Sequence, residues 1–305
     1  MRSAFRKLPW TCILSVLILG IFFANPLLSQ VSETQPQVAE TQHDFIKMDN
    51  DFFYTRAWVL SSTKTKSTIL LVGVVHVAEA QYFKEIEGIL QRCEIVFYEG
   101  IHPKSSNPHS KDIRLGKDPL SWEIEASAKV EINLEKIREE QLEFAQELDL
   151  AFQFHILSPQ ENWVLSDTTS EDFAKSIQDL SHEELSLDKN PLEEKPNDIR
   201  QMGPDSANTI QAKYFIRRKL AEEITTSSQK INNNPKYAKV LDALVKKRNS
   251  IVLKKLSSYL NTSSTLGIIY GAAHMPDFLT RLENEWGYRV VGTRWIPAWS
   301  LNKED

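Results

Sequence analysis

Two histidines of this 305-residue chain occur in the same local pattern, at the end of an apolar run and three residues after a glycine. The first is Gly73-Val-Val-His76, within "ILLVGVVHVAEA", and the second is Gly271-Ala-Ala-His274, within "GIIYGAAHMPDF". Apolar, β-branched runs predict buried strands, and glycine permits the dihedrals or the close approach that a turn after a strand can need. Histidine is a poor strand residue but a good ligand, base or orienting group. The repeated pattern therefore favours a site over two structural histidines at helix starts.

Glu99 ends a third apolar run, in "IVFYEG". A carboxylate is disfavoured at the end of a buried strand unless something compensates its charge. If the strands before His76, Glu99 and His274 are neighbours, their side chains converge at one edge of a sheet. Two imidazoles and a carboxylate are a common ligand set for zinc, manganese or iron, and a carboxylate can also act as a general base. The structural alternatives are that Glu99 caps a backbone group or faces solvent. His102, in the loop that follows, is a reserve ligand.

Arg248 is informative through its spacing. It falls on the apolar stripe of a predicted amphipathic helix, whose members are Leu241, Leu244, Val245, Val252 and Leu256. Its guanidinium is therefore directed toward the core and needs an anion, either a protein carboxylate or a bound ligand. The alternative is that the side chain snorkels along the apolar face. Asn249, beside it, could face either way.

The elements that must position these residues follow from hydrophobic periodicity. The runs "FFYTRAWVL" and "TILLVGVV" predict a hairpin, residues 79–92 a helix, and "EIVFYEG" a strand. The end of the chain repeats the order of strand, Gly-x-x-His, helix and strand. Between them, residues 110–260 are predicted as a helical insertion, with a long polar loop over residues 180–206. The pattern predicts an α/β fold with a central mixed, largely parallel sheet, flanking helices and ligand binding at the carboxyl ends of the strands.

The first thirty residues predict export. Arg2, Arg6 and Lys7 precede an apolar stretch that ends near Ala24, which is the layout of a secretory signal peptide. The stretch is shorter than the ~20 residues of a spanning helix, so cleavage is favoured, with an uncleaved N-terminal anchor as the alternative. We therefore divide the chain into a signal peptide (1–30), a linker (31–50), with order expected to begin near Phe52, and one α/β domain (51–305). The protein is expected in the periplasm, outside the cell, or attached to a membrane through its N-terminal segment alone.

Composition and missing motifs exclude several classes of function. The formal charge is −5, and no basic block accompanies the domain, so nucleic acid is not an expected partner. Of the two cysteines, Cys12 lies in the export segment, and Cys93, expected on a helix, is interpreted as a packing residue. The chain has no Gly-x-Ser-x-Gly, Walker, His-Glu-x-x-His or Cys-x-x-Cys motif. Serine hydrolases of that type, nucleoside triphosphatases and classical zincins are therefore not expected.

Five segments, taken in order, resemble the TraB/PrgY/GumN family, which is related to the Tiki proteins and to the erythromycin-esterase and ChaN-like folds. They are "VGVVHVAEAQYF", "VFYEG", "LDLAFQFHILSPQENWVLSDTTSEDF", "KKRNSIVLKKL" and "GIIYGAAHMPDFLTRLENEWGYRVV". The resemblance implies an α/β core with helical insertions. It also implies a site that adds Asp167, which by spacing alone would be a local cap before a helix start near Ser170. The full implied set is His76, Glu99, Asp167, Arg248 and His274.

The family often has a small hydroxyl residue after the first histidine, where this chain has Val77, Ala78 and Glu79, an acid that could lie near the site. Because Tiki relatives are described as metal-dependent proteases, the resemblance implies an exported metal-dependent hydrolase of a peptide or other small-molecule substrate, with peptide or amide bonds favoured. His76, Glu99 and His274 would hold a divalent metal (Mn, Co or Zn), Asp167 would orient or ligate, and Arg248 would bind a carboxylate or the developing oxyanion. One alternative is a non-enzymatic protein that binds a peptide, haem or metal at the same place. Another is a scaffold for protein interaction in which the polar loop 180–206 is the working part.

Overall fold

The computed structural model describes residues 43–102, 134–178, 180, 210–233 and 235–302. The predicted signal peptide, most of the 180–206 loop and part of the predicted insertion lie outside these ranges. The strands are β1 (Ile46–Met48), β2 (Phe52–Ser61), β3 (Thr68–Val74), β4 (Val77–Ala78), β5 (Ile95–Tyr98), β6 (Ala151–Phe152), β7 (Trp163–Leu165), β8 (Thr265–Gly271) and β9 (Arg289–Ser300).

The helices are α1 (Ala80–Leu90), α2 (Leu134–Glu147), α3 (Gln153–Ile156), α4 (Ser170–Gln178), α5 (Ile210–Asn233), α6 (Ala238–Leu241), α7 (Lys247–Leu256) and α8 (Met275–Trp286). A π-helical turn, Asp242–Lys246, joins α6 to α7, and a 3-10 turn, Ala272–His274, joins β8 to α8. In the described residues no helix has both the length and the hydropathy that crossing a membrane requires.

The predicted mixed, largely parallel sheet is confirmed. Four parallel strands lie side by side in the order β3, β8, β5 and β7, and β2 pairs antiparallel with β3. β9 pairs with β2 along its whole length, while β1 pairs with the first half of β2. β8 therefore lies between two strands that precede it in the chain by about 170 residues or more. This position brings the ends of the four parallel strands to one edge.

Gly73 explains how the two Gly-x-x-His segments come into contact. A Cβ atom on Gly73 would lie 2.9 Å from Cγ of Met275 and 3.3 Å from Cα of Ala272. The glycine thus provides a close approach between the end of β3 and the turn that carries His274. Its φ is not positive, so the need is for space rather than for an unusual backbone angle.

The two segments differ more than their sequences indicate. His274 is the residue before α8 and belongs to a 3-10 turn. His76 is followed by the short strand β4, which pairs with β6, and α1 begins only at Ala80. Because β4 pairs with β6, the helix does not begin directly after His76. Strands of two residues are too short to be recognised from the periodicity of apolar residues.

Three further expectations differ from the structure. Order begins earlier than Phe52, because β1 lies inside the range 31–50 that was assigned to a linker. β7, a strand of the main sheet, lies inside the predicted helical insertion. Cys93 is buried as expected but lies in the turn after α1 rather than on the helix. Each of these two strands is three residues long, which is too short for an alternation of apolar and polar residues to be recognised.

We predict that Gly267→Ala in β8 lowers the free energy of unfolding by about 1 kcal/mol, because the added methyl overpacks the core. Its Cβ would lie 3.0 Å from Sγ of Cys93, 3.1 Å from Cγ2 of Val96 and 3.3 Å from Cδ2 of Leu90. The matched control is Gly88→Ala in α1, where no atom lies within 4 Å and alanine favours the helix by up to about 1 kcal/mol. Urea unfolding should move the two midpoints in opposite directions. A stabilised Gly267→Ala would contradict the packing described here.

Candidate functional site

The five residues expected at the site are brought to one edge of the sheet. Glu99 directly follows β5, His76 and Asp167 lie two residues after β3 and β7, and His274 lies three residues after β8. Arg248 reaches the same edge from α7. Each of the four parallel strands therefore delivers one side chain, and a helix from the region between β7 and β8 delivers the fifth.

Arg248 is the centre of the arrangement. Its Nε donates to Oδ1 of Asp167 at 2.9 Å and its Nη2 to Oδ2 at 2.7 Å, which is a bidentate pair. Nη2 also donates to Oε1 of Glu99 at 2.5 Å, and Nη1 donates to the carbonyl of Leu244 at 3.3 Å. The anion that the apolar stripe required is thus supplied by the protein itself.

Backbone amides complete the coordination of both carboxylates. Oε2 of Glu99 accepts from the amide of Gly271 at 2.7 Å. Asp167 accepts from the amides of Gly100, at 2.9 Å, and Thr168, at 2.7 Å. Every carboxylate oxygen therefore has a donor, as buried carboxylates require. The residue that caps α4 is Thr169, whose Oγ1 accepts from the amide of Asp172 at 3.1 Å, whereas the main partner of Asp167 is Arg248.

The charges of the cluster are fixed by their mutual contacts. Arg248 is 1% exposed, and burial alone lowers the pKa of its guanidinium. The negative charges of Asp167 and Glu99 outweigh that effect and raise the pKa above its ordinary value. Arg248 is consequently a permanent cation between two carboxylates. Lys255, whose Nζ donates to the carbonyl of Leu165 at 2.6 Å, adds positive charge on the side of Asp167.

His274 is held as a neutral imidazole with a defined tautomer. Asn249 donates through Nδ2 to the carbonyl of His274, at 3.1 Å, and to Oδ2 of Asp277, at 2.9 Å. Its Oδ1, 2.6 Å from Nδ1 of His274, must then accept, so Nδ1 carries the proton and Nε2 has a lone pair. Burial lowers the pKa of His274 well below its usual value, and the charges of Arg248 and His76 add to this effect.

The Nε2 lone pair of His274 points into the charge cluster. Nη1 of Arg248 lies 3.4 Å away and Oε1 of Glu99 lies 3.8 Å away. The ring also makes an edge contact with Tyr270, at 5.1 Å between centroids, and the hydroxyl of Tyr270 donates to the carbonyl of Ser166. His274 is thus surrounded by groups from three strand ends and from α7.

His76 lies beside this cluster and is the more accessible of the two imidazoles, at 8% exposure compared with 1% for His274. β3 and β8 are adjacent, with Val74 opposite Gly271, so His76 and His274 follow neighbouring strand ends. The carbonyl of His76 accepts from the amide of Gln153, at 2.8 Å. Its ring lies parallel to that of Phe154, with 6.2 Å between centroids. The site therefore consists of a buried cluster of charged side chains and, beside it, the less buried imidazole of His76.

Other residues considered from the sequence have structural positions. Glu79 accepts from Arg217 at 3.2 Å and from the amide of Ser300 at 2.8 Å, so it fastens β9 to α5 instead of serving the site. The backbone of His102 pairs with that of Thr168 and Ser170, next to Asp167. Asn249 is the residue that sequence reasoning placed least well. The orientation of a residue next to an apolar stripe is ambiguous. The only feature of the sequence that pointed to Asn249 was therefore its position beside Arg248.

The predicted metal ligands of this site are His76, Glu99 and His274. Among the described residues no group of three His, Cys, Asp or Glu side chains is arranged to hold a metal ion. Both oxygens of Glu99 already accept hydrogen bonds, and the guanidinium of Arg248 lies next to Nε2 of His274. Each oxygen of Glu99 keeps a second lone pair, but a cation bound there together with Nε2 of His274 would lie beside the positive guanidinium of Arg248. The described side chains thus form an arginine-centred cluster, and binding of a divalent metal by His76, Glu99 and His274 stays a prediction.

Comparison of the chain with protein-family models, with curated proteins and with solved structures finds no match. The geometry of the site is accordingly the basis for what can be proposed about function.

We predict that Arg248→Met lowers the free energy of unfolding by about 3–5 kcal/mol, because it leaves two buried carboxylates without their cation. The control is Arg281→Met, which removes an exposed i,i+4 pair with Glu285 worth about 0.3–0.5 kcal/mol. Chemical unfolding of both variants at neutral pH measures the difference. Equal effects of the two substitutions would show that the buried cluster is not a structural constraint.

We also predict that His274 makes the fold less stable in acid. Its pKa is lower in the folded protein than in the unfolded chain, so below about pH 6.5 only the unfolded chain takes up the proton. The unfolding free energy should fall by about 1.4 kcal/mol per pH unit from this group as the pH decreases. His274→Gln should therefore show a shallower loss between about pH 7 and about pH 5, whereas the exposed control His155→Gln should follow the parent. Parallel curves for all three proteins would contradict a neutral His274.

Proposed function

We propose that this protein is a hydrolase that acts on a peptide or amide bond, with His76 as the general base that activates water. The observation that carries the proposal is the convergence of two imidazoles and a fully bonded Arg248–carboxylate cluster at the carboxyl edge of four parallel strands. In open α/β sheets this edge is where ligands bind. Perturbed ionisable groups grouped at such an edge favour a functional site over a purely structural one.

His76 is the best candidate for contact with the substrate. It is the most exposed of the five residues apart from Glu99, whose two oxygens are both engaged within the protein. An imidazole accepts a proton near neutral pH, which a general base must do. Arg248, Glu99, Asp167 and His274 are therefore assigned to positioning and to the electrostatic environment. We therefore no longer propose that Arg248 binds the substrate directly, because the donors of its guanidinium face protein oxygens and the ring of His274.

The proposed reaction has two proton transfers. The imidazole of His76 takes a proton from water as the water oxygen forms a bond to the carbonyl carbon of the substrate. The C–N bond then breaks, and the imidazolium returns the proton to the leaving amine. Because His76 starts and ends neutral, the cycle needs no other reactant than water.

The resemblance to the TraB/PrgY/GumN family and the erythromycin-esterase/ChaN-like fold is in line with this proposal. The Tiki relatives of the family are described as metal-dependent proteases, and the N-terminal pattern predicts export of the chain. We therefore propose a peptide or a small exported molecule as the substrate and the periplasm or the extracellular side as the location. In this proposal His76 activates the water, and the mechanism differs in this respect from that of a metal-assisted relative.

We predict that His76→Gln lowers the rate of cleavage of a peptide library by the full chain by about 100-fold or more, because it removes the general base. The exposed control His155→Gln should cleave at the parental rate. Mass spectrometry of the products identifies the bond, and unfolding curves verify that both variants are folded. We expect activity to persist after dialysis against a chelator.

Two results would overturn this mechanism. Activity that is lost on chelation and restored by Mn, Co or Zn would replace water activation by His76 with metal-assisted hydrolysis. Capture of peptides or haem by the parent without any turnover would show a binding protein.

A further inference from the structure

A tyrosine hydroxyl is buried next to the backbone that leads into His76. Tyr82, on α1, is 2% exposed, and its hydroxyl lies 2.8 Å from Oγ1 of Thr55 on β2. The amide of Val75 donates to the same hydroxyl at 3.2 Å. Since the hydroxyl oxygen accepts from Val75, its proton is available to Thr55. Burial raises the pKa of Tyr82, so the hydroxyl keeps this proton.

Val75 is the residue between the end of β3 and His76, so its amide is beyond the ladder that pairs β3 with β8. A buried amide without a partner would be costly. The hydroxyl of Tyr82 is the partner of the Val75 amide, on the amino side of His76. On the other side, the amide of Gln153 donates to the carbonyl of His76 at 2.8 Å. The backbone of His76 is thus held on both sides by groups from outside β3.

We propose that the Thr55–Tyr82 pair is a positioning device for His76, a role that rests on the general-base function proposed above. A phenylalanine would fill the same apolar volume, so the hydroxyl is explained by its two hydrogen bonds. Loss of the hydroxyl frees the Val75 amide and lets the turn carrying His76 move. A displacement of this kind costs catalytic rate because the base must lie within hydrogen-bond reach of the water.

The chain contains a matched control for this proposal. Tyr288 is also buried, and its hydroxyl accepts from Oγ1 of Thr65 at 2.9 Å and donates to the carbonyl of Ser67 at 3.1 Å. This second Thr–Tyr pair lies at the amino end of β3, at the opposite end of the strand from His76. Both pairs connect a threonine, a tyrosine and one backbone group of the segment that contains β3. Removing either hydroxyl breaks two hydrogen bonds, but only the hydroxyl of Tyr82 bonds to the backbone next to His76.

The experiment compares Tyr82→Phe with Tyr288→Phe in the isotope-labelled full chain. The ring signals of His76 are assigned by their loss in His76→Gln and are followed through a pH titration. We expect Tyr82→Phe to shift both the ring signals and their titration midpoint, and Tyr288→Phe to leave them unchanged. Thr55→Val should change them in the same direction but less. On a peptide that the parent cleaves in the library assay, kcat should fall by on the order of tenfold in Tyr82→Phe, with less change in KM.

The outcomes separate this inference from the proposed function. If Tyr82→Phe and Tyr288→Phe leave the His76 signals unchanged, or shift them equally, the positioning role is wrong. If Tyr82→Phe shifts the signals while the parent cleaves no peptide, the positioning role stands and the hydrolase proposal fails. If either tyrosine variant does not fold, the Thr55→Val and Thr65→Val pair provides the same comparison.

Discussion

The burial of the Arg248 guanidinium constrains the rest of this structure. Removing an ion from water costs several kcal/mol, which is recovered only when its donors meet well-placed acceptors. Asp167 and Glu99 meet this requirement, and three backbone amides supply the remaining donors to the carboxylates. Those amides belong to the ends of different strands. The ends of β5, β7 and β8 must therefore be in register before the charge of Arg248 can be accommodated.

The same constraint connects the charged cluster to the histidines. α7 carries Arg248 and Asn249 side by side, and the first residue binds the carboxylates while the second fixes the tautomer of His274. The π-helical turn directly before α7 contributes the carbonyl of Leu244 to the guanidinium. π-helical turns inserted in α-helices are frequent at functional sites. One helix thus sets both the charge and the protonation state of the site.

The sequence was sufficient to predict the strands that precede His76, Glu99 and His274, because apolar runs identify strands and neighbouring parallel strands share an edge. The periodicity of α7 likewise predicted that Arg248 points inward. It could not predict which anion Arg248 binds, since Glu99 and Asp167 are 149 and 81 residues away in the chain. The roles of Asn249 and Tyr82 depend on single hydrogen bonds across elements, which leave no periodic signal. β1 and β7 were missed because three residues do not establish an alternation.

The position of β8 has a consequence for folding. β3 and β5 are synthesised early, yet neither contacts the other in the sheet, because β8 occupies the place between them. Until residues 265–271 insert, two apolar strands have unpaired edges and Glu99 lacks its bond to the amide of Gly271. Pairing over such sequence distances is slow and leaves incomplete chains prone to association. A nascent chain that lacks residues 265–271 therefore has no assembled site, and the facing edges of β3 and β5 are open to association with other strands.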